Sequence, residues 1–94
     1  MKHTYKISPA LAWQNYDCID MLFILNRKNC NFYFFRNSGR VIVESILQMH
    51  TIQYVYELCK ELYDVSEEEL SSALNYFVEL LLREELIYEP NADT

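Results

Sequence analysis

Along the chain the hydrophobic positions change their period once, near Asn37-Ser38-Gly39. Before that point they fall in short runs rich in β-branched and aromatic residues, which is strand chemistry. Leu11-Ala12-Trp13 reads as a short strand, followed by polar Gln14-Asn15 and a turn around Tyr16-Asp17. Residues 19–25 and 31–35 read as the arms of a β-hairpin joined by Asn26-Arg27-Lys28-Asn29-Cys30. That connection has no glycine, so Asn29 or another asparagine is expected to take any left-handed position it needs.

After the change the spacing is helical. Val41, Ile42, Ser45 and Ile46 place a first helix over residues 40–49, with Asn37 or Ser38 as its N-cap. Val55, Leu58, Cys59 and Leu62 form an i, i+3, i+4, i+7 stripe on a second helix over residues 52–63, after a potential cap at Thr51. Ser66-Glu67-Glu68-Glu69 is a capping box for a third helix that runs through Leu70, Leu74, Phe77, Val78 and Leu81 to about Arg83. Its glutamates face the positive end of the helix dipole, which accounts for their clustering without a catalytic role. Leu86-Ile87-Tyr88 adds a short terminal strand before Pro90.

Both arms of the hairpin, Met21-Leu22-Phe23-Ile24-Leu25 and Phe32-Tyr33-Phe34-Phe35, are apolar without alternation. Such strands want cover on both faces. Three helices can cover one, leaving a row that includes Phe32 and Phe34 for the N-terminal segment, a second copy of the chain in a homodimer, or a partner protein.

The length, 94 residues, confines this to one domain spanning the chain, ordered over about residues 7–89. A core fits, but not a deep internal substrate cavity. No apolar run approaches a membrane span and the first residues do not resemble a signal peptide, so no membrane partner is expected. With Lys+Arg 8 against Asp+Glu 14, the charge of −6 argues against nucleic acid, whose affinity comes largely from cations on phosphates. Cys18, Cys30 and Cys59 are odd in number and form no C-x-x-C pair, consistent with reduced thiols and a cytoplasmic location. His3 and His50 are the other soft ligands, too few for a zinc site. One glycine excludes a phosphate-binding loop, and hydrolase and metalloprotease motifs are absent. The sequence therefore predicts no enzyme, no metal and no cofactor. What remains is a sheet edge at the third strand, suited to binding an extended peptide through backbone hydrogen bonds.

The order of elements resembles the PqqD family, the small peptide-recognition domains of ribosomal peptide-modification pathways. The likeness covers nearly the whole chain. It is carried by Pro9-Ala10-Leu11-Ala12-Trp13, Phe23-Ile24-Leu25, Phe32-Tyr33-Phe34-Phe35 and Asn37-Ser38-Gly39, then by Ile52-Gln53-Tyr54-Val55, Leu62-Tyr63-Asp64-Val65, Ser66-Glu67-Glu68-Glu69, Phe77, Leu81 and Leu86-Ile87. The chain departs from the family pattern at Phe35-Arg36, where Leu-Asn is frequent, at Ala73, where an Asp is frequent, and at Glu85, where a Gly is frequent.

The resemblance implies an α+β, winged-helix-like fold: a three-stranded antiparallel sheet followed by three helices. It also implies that the domain binds the leader of a precursor peptide as an added strand and presents it to a separate modifying enzyme or protease. Carried onto this sequence, the groove would comprise Phe32, Tyr33, Phe34 and Phe35 with Leu70, Ser71, Leu74, Asn75 and Val78 of the third helix. Plain core packing is an equal reading of Leu70, Leu74 and Val78. Ser71 and Asn75, four residues apart on one helical face, are the candidates for polar contacts. Two other functions compete: a winged-helix DNA-binding regulator, disfavoured by the acidic start of the third helix, and a non-catalytic assembly subunit built on Phe32 and Phe34.

Overall fold

The structure, a computed structural model, describes residues 4–49 and 51–89. Four extended segments come first: β1 (Lys6–Ile7), β2 (Leu11–Tyr16), β3 (Met21–Asn26) and β4 (Asn31–Phe35). Helices α1 (Asn37–Met49), α2 (Ile52–Leu62) and α3 (Glu67–Arg83) follow, and β5 (Ile87–Tyr88) comes last. Strands β2, β3 and β4 form an antiparallel sheet in that order, so the protein has the expected α+β plan of three strands followed by three helices. A second ladder, between β1 and β5, pairs Lys6 with Tyr88 and Ile7 with Ile87.

Once register is fixed, the uniformly apolar strands acquire two distinct faces. Leu22 lies opposite Asn15 and Phe35, and Ile24 lies opposite Trp13 and Tyr33. This inner face carries the fully buried Leu22 and Ile24 into a core with Val43 and Ile46 of α1, Val55 and Cys59 of α2, and Leu74 and Leu81 of α3. Burying side chains of this size stabilises by about 1.5–3 kcal/mol each. The chain's single glycine has a packing reason, since a Cβ on Gly39 would lie 3.1 Å from Cζ of Phe77, where α1 approaches α3.

Strand β2 continues past the predicted polar break to Tyr16, because Gln14 and Tyr16 point to solvent while Asn15 points inward. The reversal therefore comes later than expected, in a short 3-10 turn over Asp17–Ile19 that ends at Asp20 with φ 53°. Ile19 leaves the strand and is exposed. In the β3–β4 turn the left-handed residue is Cys30, φ 65°, rather than an asparagine. The asparagines serve through their side chains instead: the Asn26 carbonyl oxygen accepts from the Lys28 N–H at 3.0 Å, and that of Asn29 from the Asn31 N–H at 2.9 Å. Positive φ then falls to the last turn residue, whose own N–H donates to the backbone carbonyl of Asn26 at 2.8 Å.

Helix α1 begins at Asn37, three residues ahead of the expected start at Arg40. Its first N–H, on Asn37 at φ 58°, donates to the Asp20 carboxylate at 2.9 Å, so the acceptor comes from the β2–β3 turn and not from Asn37 or Ser38. Arg40 completes the tie. Its guanidinium donates to the Asp20 carboxylate, to Asp17 Oδ1 at 3.0 Å and to Asn15 Oδ1 at 3.1 Å. These bonds, Arg40 first, hold the Asp20 carboxyl below the ordinary carboxylate range and push the guanidinium up.

Ser66 caps α3 as its sequence predicts, accepting from the Glu69 N–H at 3.1 Å. The Glu69 carboxylate accepts from the Ser66 hydroxyl at 3.1 Å instead of from a backbone amide. At the other end the Leu86 N–H donates to the Leu81 carbonyl at 2.9 Å and the Glu85 N–H to that of Leu82 at 3.1 Å, with Glu85 at φ 61°. This is a Schellman closure with a glutamate in the position that favours glycine. It turns the chain into β5 and buries Leu86 in the same core as Leu81.

Candidate functional site

Strand β4 pairs with β3 along one edge and with no described strand along the other. An antiparallel strand points alternate N–H and C=O groups away from its single neighbour, so this edge offers unpaired donors and acceptors at a spacing a second strand can match. Helix α3 runs beside it. The rings of Phe35 and Phe77 meet edge to face at 6.1 Å, and Tyr76 meets Phe77 in the same way at 5.1 Å. Farther along, the Tyr33 hydroxyl donates to Glu84 Oε1 at 2.6 Å. Partial burial and the Glu84 carboxylate both push the Tyr33 hydroxyl pKa up, so it remains a donor. The seam between β4 and α3 is thus lined by the half-buried rings of Tyr33, Phe35 and Phe77, flanked by the exposed Tyr76, and ends in one carboxylate.

The residues that sequence reasoning chose on α3 divide differently. Leu70, Leu74 and Val78 are buried in the core, where the alternative reading of core packing put them, and they do not open onto the seam. Ser71 is half-buried and Asn75 exposed. At about 100° per residue these two point roughly 120–180° away from Phe77 and Glu84, the residues that touch β4. The contacts to β4 are therefore made by Phe77 and Glu84, with Ala73 one turn before Phe77 on the same flank, and not by Ser71 and Asn75. The i, i+4, i+11 spacing of Ala73, Phe77 and Glu84 was a readable stripe, but it flanks the core stripe, and a helix wheel does not say which flank a sheet occupies.

On β4 all four chosen residues sit at the edge, and they divide by parity. Tyr33 and Phe35 are half-buried on the helix side, whereas Phe32 and Phe34 stand on the outer face at 58% and 59% exposure. There they cluster with Phe23, whose ring lies 5.6 Å from Phe32 and 6.4 Å from Phe34, with Tyr16 edge-on to Phe23 at 5.7 Å. Two adjoining shallow hollows of about 450 and 250 Å³ share Gln14, Phe23 and Phe32. The described N-terminal residues do not cover this face, because β1 is engaged with β5.

The remaining reactive groups lie apart. Cys18 and Cys30 are exposed, and Cys59 is buried, which pushes its thiol pKa up, opposite to the shift that activates a nucleophile. Glu67 pairs with Lys60 at 3.1 Å and Glu69 belongs to the cap. Among the described residues no group of three or more His, Cys, Asp or Glu is placed to hold a metal, and no helix is long and apolar enough to cross a membrane. His3 and His50, the imidazoles weighed as ligands, lie outside the described residues.

No protein-family model matches the chain, and no curated protein matches it in sequence. In fold it is similar to a solved structure, TbiB1 in complex with the TbiA(beta) leader peptide. The TM-score is 0.80 at 22% identity, over 94% of this chain and 99% of that one. The likeness establishes a shared arrangement of three strands and three helices over nearly the full length of both chains. The neighbour holds a leader peptide.

Proposed function

We propose that this protein recognises the leader segment of a ribosomally made precursor peptide. The leader adds as a strand to the outer edge of β4, beside α3, and the protein presents the rest of the precursor to a separate modifying enzyme or protease. The observation that carries this reading is the free β4 edge running beside the Phe35–Phe77 pair, in a fold shared with a protein that is bound to a leader peptide. Backbone groups of β4 supply the affinity of strand addition, and Tyr33, Phe35, Ala73 and Phe77 select side chains. The role is non-catalytic: holding the leader raises the effective concentration of the attached segment at the partner enzyme.

A backbone amide NMR titration tests it, with synthetic peptides tiling the short open reading frames beside the gene. Shifts confined to residues 31–35 and 73–84 are expected. Proline placed singly through the contact segment weakens binding wherever it removes a ladder N–H. Tiles that leave both segments unmoved, or a proline series that binds unchanged, would overturn the proposal.

A second reading, an assembly subunit joined through Phe32 and Phe34, is favoured by the exposure of those two rings. Light scattering separates the two, since an obligate assembly persists on dilution without peptide. The DNA-binding reading has little to draw on, as α3 opens with three glutamates and carries Arg83 as its sole basic residue.

A further inference from the structure

The parity of β4 bears on what kind of peptide the edge accepts. Phe34 lies opposite Phe23, and Phe32 opposite Leu25, so each outer-face ring has one cross-strand neighbour on the β3 side and an empty lane on the other. An added strand would run about 4.8 Å from β4. Its alternate side chains would then stand beside Phe32 and Phe34 with Cβ separations of about 4.5–5.5 Å. The intervening side chains would enter the seam of Tyr33, Phe35 and Phe77. The sheet already contains a strand that satisfies β4 in this manner: β3 is apolar on both parities, with Leu22 and Ile24 inward and Met21, Phe23 and Leu25 outward. The outward positions of β4 beside the vacant lane are Phe32 and Phe34, backed by Phe23 and Leu25 of β3, and the charge nearest to them in sequence is the exposed Arg36 just past the strand end, so an outward carboxylate could meet a cation only at that end of the lane and an outward cation would find no partner beside the rings.

We infer that the outer-face rings Phe32 and Phe34 are a second specificity surface for the bound strand. The protein then selects a contiguous apolar or aromatic run, apolar at consecutive positions, rather than a peptide with one apolar face. The inference rests on leader binding at β4 and names the class of peptide that binds there. The occupant of the outer face is the bound peptide's own outward side chains.

The test is a serine scan of the tightest-binding synthetic tile, with dissociation constants measured against the wild-type chain and against F32T/F34T. Threonine retains strand propensity at two exposed positions, and unchanged amide positions in α1, α2 and α3 verify the fold of the variant. Serine at the inward positions is expected to weaken binding about tenfold or more. At outward positions it should weaken binding about two- to fivefold. In F32T/F34T the outward penalties disappear and the inward ones persist. Outward positions that tolerate serine in the wild type, while residues 31–35 still shift, would overturn this inference and leave leader binding standing. Outward penalties that survive in F32T/F34T would also overturn it. A panel with no tile moving β4 removes the reading beneath it.

Discussion

On its inner face β3 contributes Leu22 and Ile24, both fully buried, while its outer face presents Phe23 beside Phe32 and Phe34 of β4, which are 58% and 59% exposed. Both faces are about equally apolar. They differ in what is available to cover them, since α1, α2 and α3 all pack on one side and the only other described extended chain is tied up between β1 and β5. Burial here is set by the supply of covering elements, and the apolar surface left over becomes the part of the molecule free to meet something else.

The sharpest way to break the comparison is to truncate one residue on each face. Leu22→Ala or Ile24→Ala should cost about 2–5 kcal/mol in urea unfolding, whereas Phe34→Thr should stay within about 0.5 kcal/mol. Equal losses would mean that the outer face is covered in solution.

The tie between the sheet and α1 responds to pH. The Asp20 carboxyl is held down by Arg40 and by the Asn37 N–H, so its stabilisation is complete above the pKa of the unfolded chain and is lost as pH falls through the lower folded value. Asp20→Asn should therefore be less stable than wild type at neutral pH, and the gap should close in acid. A gap that persists in acid would locate the effect elsewhere than in ionisation.

Tyr33→Phe removes the hydroxyl that bonds Glu84 across the seam and should cost about 1 kcal/mol in the same unfolding assay. A further effect has the opposite sign. Glu85→Gly relieves a left-handed backbone at the end of α3 and should raise stability by about 0.5–1 kcal/mol.

The hairpin arms and α3 were legible because each carries a local signal: runs of aromatic and β-branched residues in one case, Ser66 three residues before Glu69 in the other. Strands β1 and β5 were not both legible, since two residues are too few to show a period and their partners lie at opposite ends of the chain. The Arg40 cluster was equally hidden. Asp17, Asp20 and Arg40 read as unrelated surface charges until the turn and the helix are brought together. On the candidate site, the parity of β4 follows from counting by twos, but the facing flank of α3 depends on where the helix docks. Ser71 and Asn75 were chosen for polarity on a shared face, and docking turned Phe77 and Glu84 toward the sheet instead. The left-handed Cys30 was missed for a related reason, because the flanking asparagines spend their side chains on turn amides.

The pairing of Lys6 with Tyr88 sets the two ends of the described fold next to each other. The molecule is in effect a loop closed by a clasp, so its linear order is not essential to its architecture. A permuted chain that joins these ends through a short flexible linker and opens at the exposed Asp64-Val65 should keep β4 and α3 in place.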